Sequence, residues 1–239
     1  MKKVILICIF SCFLFTACET SDTEDVSEIT NYAVITVKGP EEVLQPMGED
    51  FVDPGVSAEE AGQPVDVTTS SSGQFRGGAL DTDVPDQYLL SYSATNKDGY
   101  SASAGRTVIV YGTGDLITDL SGLYTSTVVR DGSGGPQYTD MKYILIWKNS
   151  DGTFQLSDGI GGYYDLGRGY GKAYIAPGAK VTVNGLNDYT FGPNFTVSTF
   201  GGVAMMTSMT VDPVAKTIDF TSDWDAGPYS FAVHLEQVQ

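Results

Sequence analysis

Histidine, cysteine and basic residues are scarce in this chain of 239 residues. It has one histidine, and its three cysteines, Cys8, Cys12 and Cys18, all lie within the first 18 positions. Lysine and arginine number 13 against 30 aspartate and glutamate, which gives a formal net charge of -17. A protein that neutralises nucleic-acid phosphates needs clustered basic side chains, so we expect no nucleic-acid partner.

The sequence offers little for catalysis or for metal binding. One histidine and no cysteine beyond position 18 leave too few nitrogen and sulfur ligands for a zinc site. A serine relay needs a histidine beside an activated serine, but no Gly-x-Ser-x-Gly motif is present, and alternation over residues 229–235 places His234 on the polar side of a strand. A glycosidase needs two carboxylates across a cleft, whereas Asp223 and Asp225 would share one face of a strand. We therefore predict a protein that is not an enzyme, with no catalytic residues, no metal site and no cofactor.

The first residues have the pattern of a bacterial signal peptide. Lys2 and Lys3 precede an apolar run over residues 4–15 that is too short to cross a bilayer as a helix. The following sequence, Phe-Thr-Ala-Cys at positions 15–18, resembles the lipobox of bacterial lipoproteins, although Phe15 stands where leucine is usual. This resemblance implies that residues 1–17 are cleaved and that Cys18 is acylated. The alternative is an ordinary cleaved signal with a chance cysteine.

Residues 18–32 are predicted to form an acidic tether. Four of the seven residues 19–25 are acidic and none is apolar, so this stretch cannot collapse into a core. An acidic stretch directly after a lipidated cysteine resembles the surface-export signal of Bacteroidota lipoproteins. The resemblance implies a lipid anchor in the outer membrane and a chain that faces the cell exterior. A spacer on the periplasmic side is the alternative.

Residues 88–110 predict a β-hairpin. Alternate apolar residues over 88–94 would share one strand face, and residues 96–99 supply a turn in which Gly99 takes a positive φ. Residues 106–110 would form the returning strand. With the earlier Asp53-Pro54-Gly55 sequence, this pattern resembles a bacterial Ig-like domain of secreted and surface proteins, matched over residues 33–111. The resemblance implies a β-sandwich that serves as a spacer or an adhesion unit.

Residues 116–239 predict a second β domain. Short β-branched and aromatic runs are separated by Gly, Pro, Asn and Asp turns, with no helical period, which favours an antiparallel sandwich or barrel. We expect strands at 172–175 and 195–200, among others. We therefore predict an all-β chain. Its layout as a whole resembles Bacteroidota outer-membrane lipoproteins that join one Ig-like domain to a C-terminal β domain.

A segment rich in glycine and tyrosine is the candidate binding site. Residues 158–174 hold six glycines and four tyrosines, and tyrosine combines a flat apolar face with a hydroxyl, which suits a sugar ring. The predicted ligand-binding residues are Tyr163, Tyr164, Asp165, Arg168, Tyr170, Tyr174, Trp147 and Trp224. The alternative is that these tyrosines pack across strands and that the glycines mark bulges and tight bends.

These observations predict a non-catalytic cell-surface lipoprotein that binds an extracellular glycan as an accessory to polysaccharide uptake. Its expected partners are the membrane, through the lipid anchor, a polysaccharide ligand and an outer-membrane transporter complex. Two alternatives stay open. One is a structural or adhesive module without small-ligand binding, with Tyr163 and Tyr164 buried. The other is a lipocalin-like carrier of an apolar ligand.

Overall fold

The computed structural model describes residues 29–239. The predicted signal peptide, the acylation site Cys18 and most of the acidic tether lie outside the described residues. No helix within residues 29–239 is long and apolar enough to cross a membrane.

The described chain forms β-strands joined by turns and a few short helical turns. The strands are β1 (Val34–Val37), β2 (Glu42–Pro46), β3 (Val56–Glu60), β4 (Gln63–Val65), β5 (Thr68–Gly73), β6 (Asp86–Thr95), β7 (Ser101–Tyr111), β8 (Gly122–Arg130), β9 (Met141–Lys148), β10 (Phe154–Leu156), β11 (Lys180–Gly185), β12 (Asp188–Phe191), β13 (Phe195–Val197), β14 (Gly201–Asp212), β15 (Thr217–Trp224) and β16 (Tyr229–Gln237). A π-helical turn spans Tyr163–Gly167, and 3-10 turns span Pro136–Tyr138, Lys172–Tyr174 and Ser198–Phe200. The chain is therefore all-β, as predicted.

Strands β1–β7 form an Ig-like sandwich of two sheets. The sheets have the orders β1-β3-β4 and β2-β7-β6-β5, and β2 runs parallel to β7. The predicted hairpin is confirmed, since β6 pairs with β7 along its whole length and Gly99 in the turn has a φ of 87°. Side chains that alternate along β6 and β7 form the core between the sheets: Tyr88, Leu90, Tyr92, Val108 and Val110.

The three sequence blocks that resemble the Ig-like family meet at one buried arginine. Arg106 is 1% exposed, and its Nε atom lies 3.6 Å from Asp53 Oδ1. The Tyr92 hydroxyl donates a 2.7 Å hydrogen bond to Asp53 Oδ2, and Arg106 also donates to the carbonyls of Lys38 and Pro40. A buried charge needs this degree of pairing to be tolerated. The Asp-Pro-Gly turn is thereby fixed to the β6–β7 hairpin.

Strands β8–β16 form one antiparallel sheet of nine strands. Its order is β12-β11-β10-β9-β8-β16-β15-β14-β13, so the first and last strands of the domain pair at the centre. The sheet curls, and its outer strands approach one another where Val211 of β14 donates a 2.7 Å hydrogen bond to Asn187 Oδ1, in the turn before β12. The domain is therefore a curled antiparallel half-barrel of a single sheet, which confirms the predicted antiparallel β domain and is closer to the barrel than to the sandwich.

Two local predictions in this domain are wrong. Residues 172–175 were expected to form a strand, but Lys172–Tyr174 is a 3-10 turn, preceded by Gly171 with a φ of 85°. Residues 198–200, expected to continue β13, also form a 3-10 turn. The alternation in both places is too short to specify a strand by itself. Conversely, β12 is an edge strand that was not predicted, because it is only four residues long and its apolar face consists of Tyr189 and Phe191 alone.

A long loop fills the concave side of the half-barrel. We call residues 157–176 the inner loop. Its first part, residues 157–165, is buried throughout. The hydroxyls of Ser126 and Ser222 donate hydrogen bonds to the carbonyls of Gly161 at 2.8 Å and Gly159 at 2.6 Å, which tie the loop to the sheet. The interior described here is therefore packed with protein and does not form a lipocalin-like chamber.

The glycines of the inner loop are needed because the loop lies so close to the sheet. A Cβ atom added to Gly159 would lie 2.5 Å from the ring of Phe195. One added to Gly161, whose φ is +67°, would lie 2.6 Å from the Val233 side chain. These glycines thus permit close packing of an ordered segment.

An apolar contact joins the two domains. Ile109 of the Ig-like domain packs with Leu123, Leu145 and Trp147 of the half-barrel. Phe75, from the loop between β5 and β6, stacks on Trp147.

Candidate ligand-binding surface

The structure separates the predicted site residues into buried and accessible groups. Tyr163, Tyr164 and Asp165 are only 3%, 6% and 7% exposed, because they belong to the packed part of the inner loop. Arg168 is exposed and Tyr170 is 48% exposed. The buried tyrosines cannot present their faces to a sugar, so the predicted stacking role of Tyr163 and Tyr164 is corrected to a packing role.

The remaining predicted residues lie in three different places. Trp147 is 2% exposed and belongs to the contact between the domains, so it is not available to a ligand. Trp224 lies at the end of β15 with its indole N–H donated to the Gly201 carbonyl at 2.9 Å, and it is only 6% exposed, so it forms the buried floor beside the groove. Tyr174 is half-buried beside Tyr170, with ring centroids 5.2 Å apart.

Asp165, the acidic residue predicted to bind a ligand, forms an ion pair within the inner loop. Asp165 Oδ2 accepts a 2.7 Å hydrogen bond from Lys172 Nζ. The carboxylate is almost completely buried and the lysine is partly exposed, so the pair closes the loop on itself. Asp165 is thus engaged within the protein and is not directed at a ligand.

Aromatic side chains from three parts of the domain form a continuous surface, which we call the aromatic face. Tyr170 and Tyr174 come from the inner loop, Phe200 from the 3-10 turn after β13, and Trp224 and Tyr229 from the ends of β15 and β16. Phe200 is 44% exposed and joins the group, with ring centroids 5.0 Å from Tyr174 and 6.1 Å from Trp224. Trp224 and Tyr229 follow at 5.9 Å.

A shallow groove continues the aromatic face along β14 and β15. It has a volume of about 360 Å³, and its lining is mostly apolar, with Val203, Met205, Trp224, Pro228 and Tyr229 on its walls. Val203 and Met205 are 41% and 44% exposed. Asp223, Asp225 and Ser230 supply the polar groups at its margin. An apolar floor with a few polar groups is the usual chemistry of a small-ligand or sugar site.

Two arginines border the aromatic face on the other side. The Arg130 guanidinium carbon lies 4.2 Å from the ring centroid of Tyr229 and 5.0 Å from that of Tyr163. Its Nη1 atom also donates a 3.4 Å hydrogen bond to the Tyr164 hydroxyl. Arg168 lies 5.7 Å from the Tyr163 ring and 5.9 Å from the Tyr138 ring.

The electrostatics keep these groups in fixed charge states. Burial raises the pKa of the Tyr163 and Tyr164 hydroxyls, so both remain neutral. The Tyr163 hydroxyl raises the pKa of Arg168, which therefore remains a cation. The two buried tyrosines beside the face are thus neutral, and Arg168 next to them is positively charged.

Sequence reasoning missed Phe200, Tyr229 and Arg130. Phe200 and Tyr229 were interpreted as residues of strands, and Arg130 was only the last residue of a strand. Their proximity depends on the pairing of β8 with β16 and of β13 with β14, which no local pattern encodes.

His234 lies on the polar side of β16, as predicted. Its Nδ1 atom is 2.7 Å from Asp219 Oδ1, and its Nε2 atom is 3.5 Å from Glu236 Oε1. Both ring nitrogens therefore face carboxylates, one on the neighbouring strand β15 and one on β16 itself. These three side chains lie on the opposite side of the sheet from the buried Phe231 and Val233.

Comparisons with known proteins agree with this architecture. The sequence family described as bacterial surface protein, Ig-like domain matches residues 35–110, and a second family, described as a C-terminal domain, matches residues 113–237. The crystal structure of the lipoprotein BT2262 from Bacteroides thetaiotaomicron matches with 29% identity and a TM-score of 0.62. That match covers 86% of this chain and 100% of the other. No curated protein matches the sequence.

Proposed function

Because the chain belongs to the BT2262-like family of bacterial surface lipoproteins with an Ig-like domain, we propose that it captures an extracellular glycan on its aromatic face. In this proposal the protein holds the glycan without converting it. The lipid anchor at Cys18 retains it in the outer membrane, facing the exterior, and the Ig-like domain presents the half-barrel. A transporter complex in the same membrane receives the glycan.

The observation that supports this proposal most directly is the pair of exposed aromatic rings, Tyr170 and Phe200, beside an apolar groove that Trp224 lines from below. Soluble domains rarely leave such a group on the surface without a partner. The faces of aromatic rings suit the C–H faces of sugars, and neighbouring polar groups orient the hydroxyls. Asp223 and Ser230, at the margin of the groove, are suitably placed for that second role.

Affinity electrophoresis of the purified chain through gels that contain different polysaccharides tests the proposal. At least one polysaccharide should retard the protein. Replacing both Tyr170 and Phe200 with Ala should remove the retardation, because these rings are 48% and 44% exposed and their loss leaves the core intact. The matched control is Tyr100→Ala, which removes a ring that is 52% exposed on the Ig-like domain.

The contrary results are specific. If the double variant and Tyr100→Ala migrate like the unsubstituted protein in a gel that retards it, the aromatic face is not the binding surface. If no polysaccharide in a broad panel retards the protein, the glycan proposal fails. Proteolysis of the domain on intact cells tests the exterior orientation, which predicts cleavage without permeabilisation.

The burial of Tyr163 and Tyr164 favours a second candidate, a structural or adhesive module. In that case these rings serve only the packing of the half-barrel, and the aromatic face contacts another protein. That candidate predicts no retardation by any polysaccharide, so the same gels distinguish the two.

A further inference from the structure

Two arginines beside the aromatic face indicate which class of glycan would bind there, if the proposed function holds. We infer that the glycan is acidic, with carboxylate or sulfate groups that bind between Arg130 and Arg168. Both guanidinium groups lie within 6 Å of the same ring, that of Tyr163, at 5.0 and 5.7 Å. The two positive charges therefore lie within about 11 Å of each other, in a protein of net charge -17.

The distribution of arginine in the chain makes this placement informative. The sequence has four arginines, and Arg106 is buried in the Ig-like core. Arg76 is exposed on a loop of the Ig-like domain. The half-barrel contains only Arg130 and Arg168, and both border the aromatic face. Arginine offers planar paired donors that match a carboxylate or a sulfate, which lysine does not.

Few carboxylates lie close to these arginines. Among residues 29–239, Arg168 has no carboxylate within 4.0 Å, and the nearest one to Arg130 is Asp131, at 4.0 Å. Asp131 Oδ1 accepts a 2.8 Å hydrogen bond from the Ser230 N–H, while its Oδ2 atom faces Arg130 and compensates that charge in part, so Arg168 is the less compensated of the two arginines. Across the face, Asp225 Oδ1 accepts a 2.7 Å bond from the Val203 N–H. The groove side is thus acidic and the opposite side is cationic.

The tyrosine rings hold the Arg130 guanidinium in a position from which it can bind an anion. Stacking on Tyr229 and Tyr163 holds the Arg130 guanidinium in place, with its side chain 24% exposed, so little freedom is lost when an anion binds. This arrangement gives acidic glycans an ion pair on the aromatic face, while a neutral glycan obtains only the stacking contacts.

The test compares acidic and neutral polysaccharides on the full chain, purified in detergent. Polygalacturonate carries carboxylates, dextran sulfate carries sulfates, and dextran is neutral. We expect binding to at least one acidic polymer to be about tenfold tighter than to dextran, and to weaken as salt rises. Whether polygalacturonate or dextran sulfate binds more tightly identifies the anionic group.

Arg168→Gln should weaken binding of the acidic polymer about tenfold and leave dextran binding unchanged. This variant keeps the fold, because Arg168 is exposed, whereas Arg130→Gln also removes the contact with Tyr229. The matched control is Arg76→Gln, which removes the same charge from an exposed loop of the Ig-like domain that is not part of the aromatic face, and it should change neither affinity. Retention of full acidic-polymer affinity by Arg168→Gln and by Arg130→Gln would overturn the inference.

The inference and the proposed function fail in different ways. Dextran bound as tightly as the acidic polymers, with no effect of Arg168→Gln, contradicts the acidic class but keeps glycan binding. The absence of binding to any polymer contradicts the proposed function itself.

Discussion

Phe75 and Trp147 stack across the boundary between the two domains, with ring centroids 5.8 Å apart and ring planes 26° apart. Trp147 was a candidate for stacking against a ligand, and its partner is instead a loop of the Ig-like domain. The surrounding contact includes Ile109, Leu123 and Leu145 and is apolar. The junction therefore has its own packing, and the linker alone does not determine how the domains are arranged.

The stacked pair should contribute measurably to stability. Phe75→Ala and Trp147→Ala each remove the same ring contact, so their effects on the free energy of unfolding should be non-additive by about 1 kcal/mol. Urea unfolding of the two single variants and the double variant measures this coupling. The control pair is Trp147→Ala with Tyr100→Ala. These two residues do not share a contact, so the effects of their substitutions on the free energy of unfolding should be additive. Additive effects for the Phe75 pair would show that the stacking is incidental.

Gly161 should tolerate no side chain, because the sheet lies directly behind it. Gly161→Ala places a methyl group 2.6 Å from Val233. It should destabilise the domain by about 1–3 kcal/mol more than the same substitution at a glycine that has a similar positive φ but free space around it. Gly169 provides that comparison, since its φ is +66° and nothing lies within 4 Å of its added Cβ. Thermal unfolding of Gly161→Ala and Gly169→Ala isolates the packing cost. Equal losses in both variants would contradict the close approach.

Asp158 should make the half-barrel more stable in mild acid than at neutral pH. Its carboxyl is fully enclosed by the inner loop: Oδ1 accepts a 2.8 Å hydrogen bond from the Ile160 N–H, and Oδ2 has no partner among the described residues. Burial raises the pKa of this group from 3.8 to about 6. The folded state therefore binds the proton more tightly than the unfolded state. The stabilisation by the bound proton is complete below about pH 4 and is lost as the pH rises past about 6. The total loss of free energy of unfolding from this group is about 3 kcal/mol.

Asp158→Asn removes this titration and provides the measurement. The free energy of unfolding of both proteins is compared at pH 4 and pH 7.5 by urea titration, so that other acidic groups cancel. Relative to the unsubstituted protein, the variant should gain stability at pH 7.5. A difference between the two proteins that stays constant across this range would show that Asp158 does not carry the raised pKa.

The predicted acylation of Cys18 has a direct chemical test. Cells that express the protein should incorporate labelled palmitate into it, and Cys18→Ser should abolish incorporation. Cys12→Ser is the matched control, because that thiol lies in the predicted signal peptide and its loss should leave labelling unchanged. Labelling that persists in Cys18→Ser would exclude the lipobox interpretation.

Local patterns predicted the parts of the fold that depend on local chemistry. The β6–β7 hairpin follows from alternation on both sides of a turn that ends in Gly99, and its pairing needs no distant partner. The inner loop is different, because Tyr163 is buried by contact with Phe231 of β16 and Tyr138, which come from other parts of the chain. A run of glycine and tyrosine looks the same in a mobile loop and in a packed one.

In the candidate site, too, some residues could be identified from the sequence and others depend on contacts between distant parts of the chain. Tyr170, Tyr174, Arg168 and Trp224 were identified because residue type alone suggested sugar binding, and the structure places them together or at one border. Phe200 and Arg130 join them only through strand pairing. Tyr163, Tyr164 and Trp147 are buried, and Trp224 is only 6% exposed, because an aromatic ring that suits a sugar also suits a protein core.

Lys172 connects the Ig-like domain to the inner loop, which contributes Tyr170 and Tyr174 to the aromatic face. Its ammonium group lies 5.8 Å from the ring centroid of Phe75 and is also paired with Asp165. A truncated protein without the Ig-like domain would lose the Phe75 ring from both Lys172 and Trp147 and expose an indole that is now covered. The half-barrel expressed by itself should accordingly be more prone to self-association than the two-domain chain.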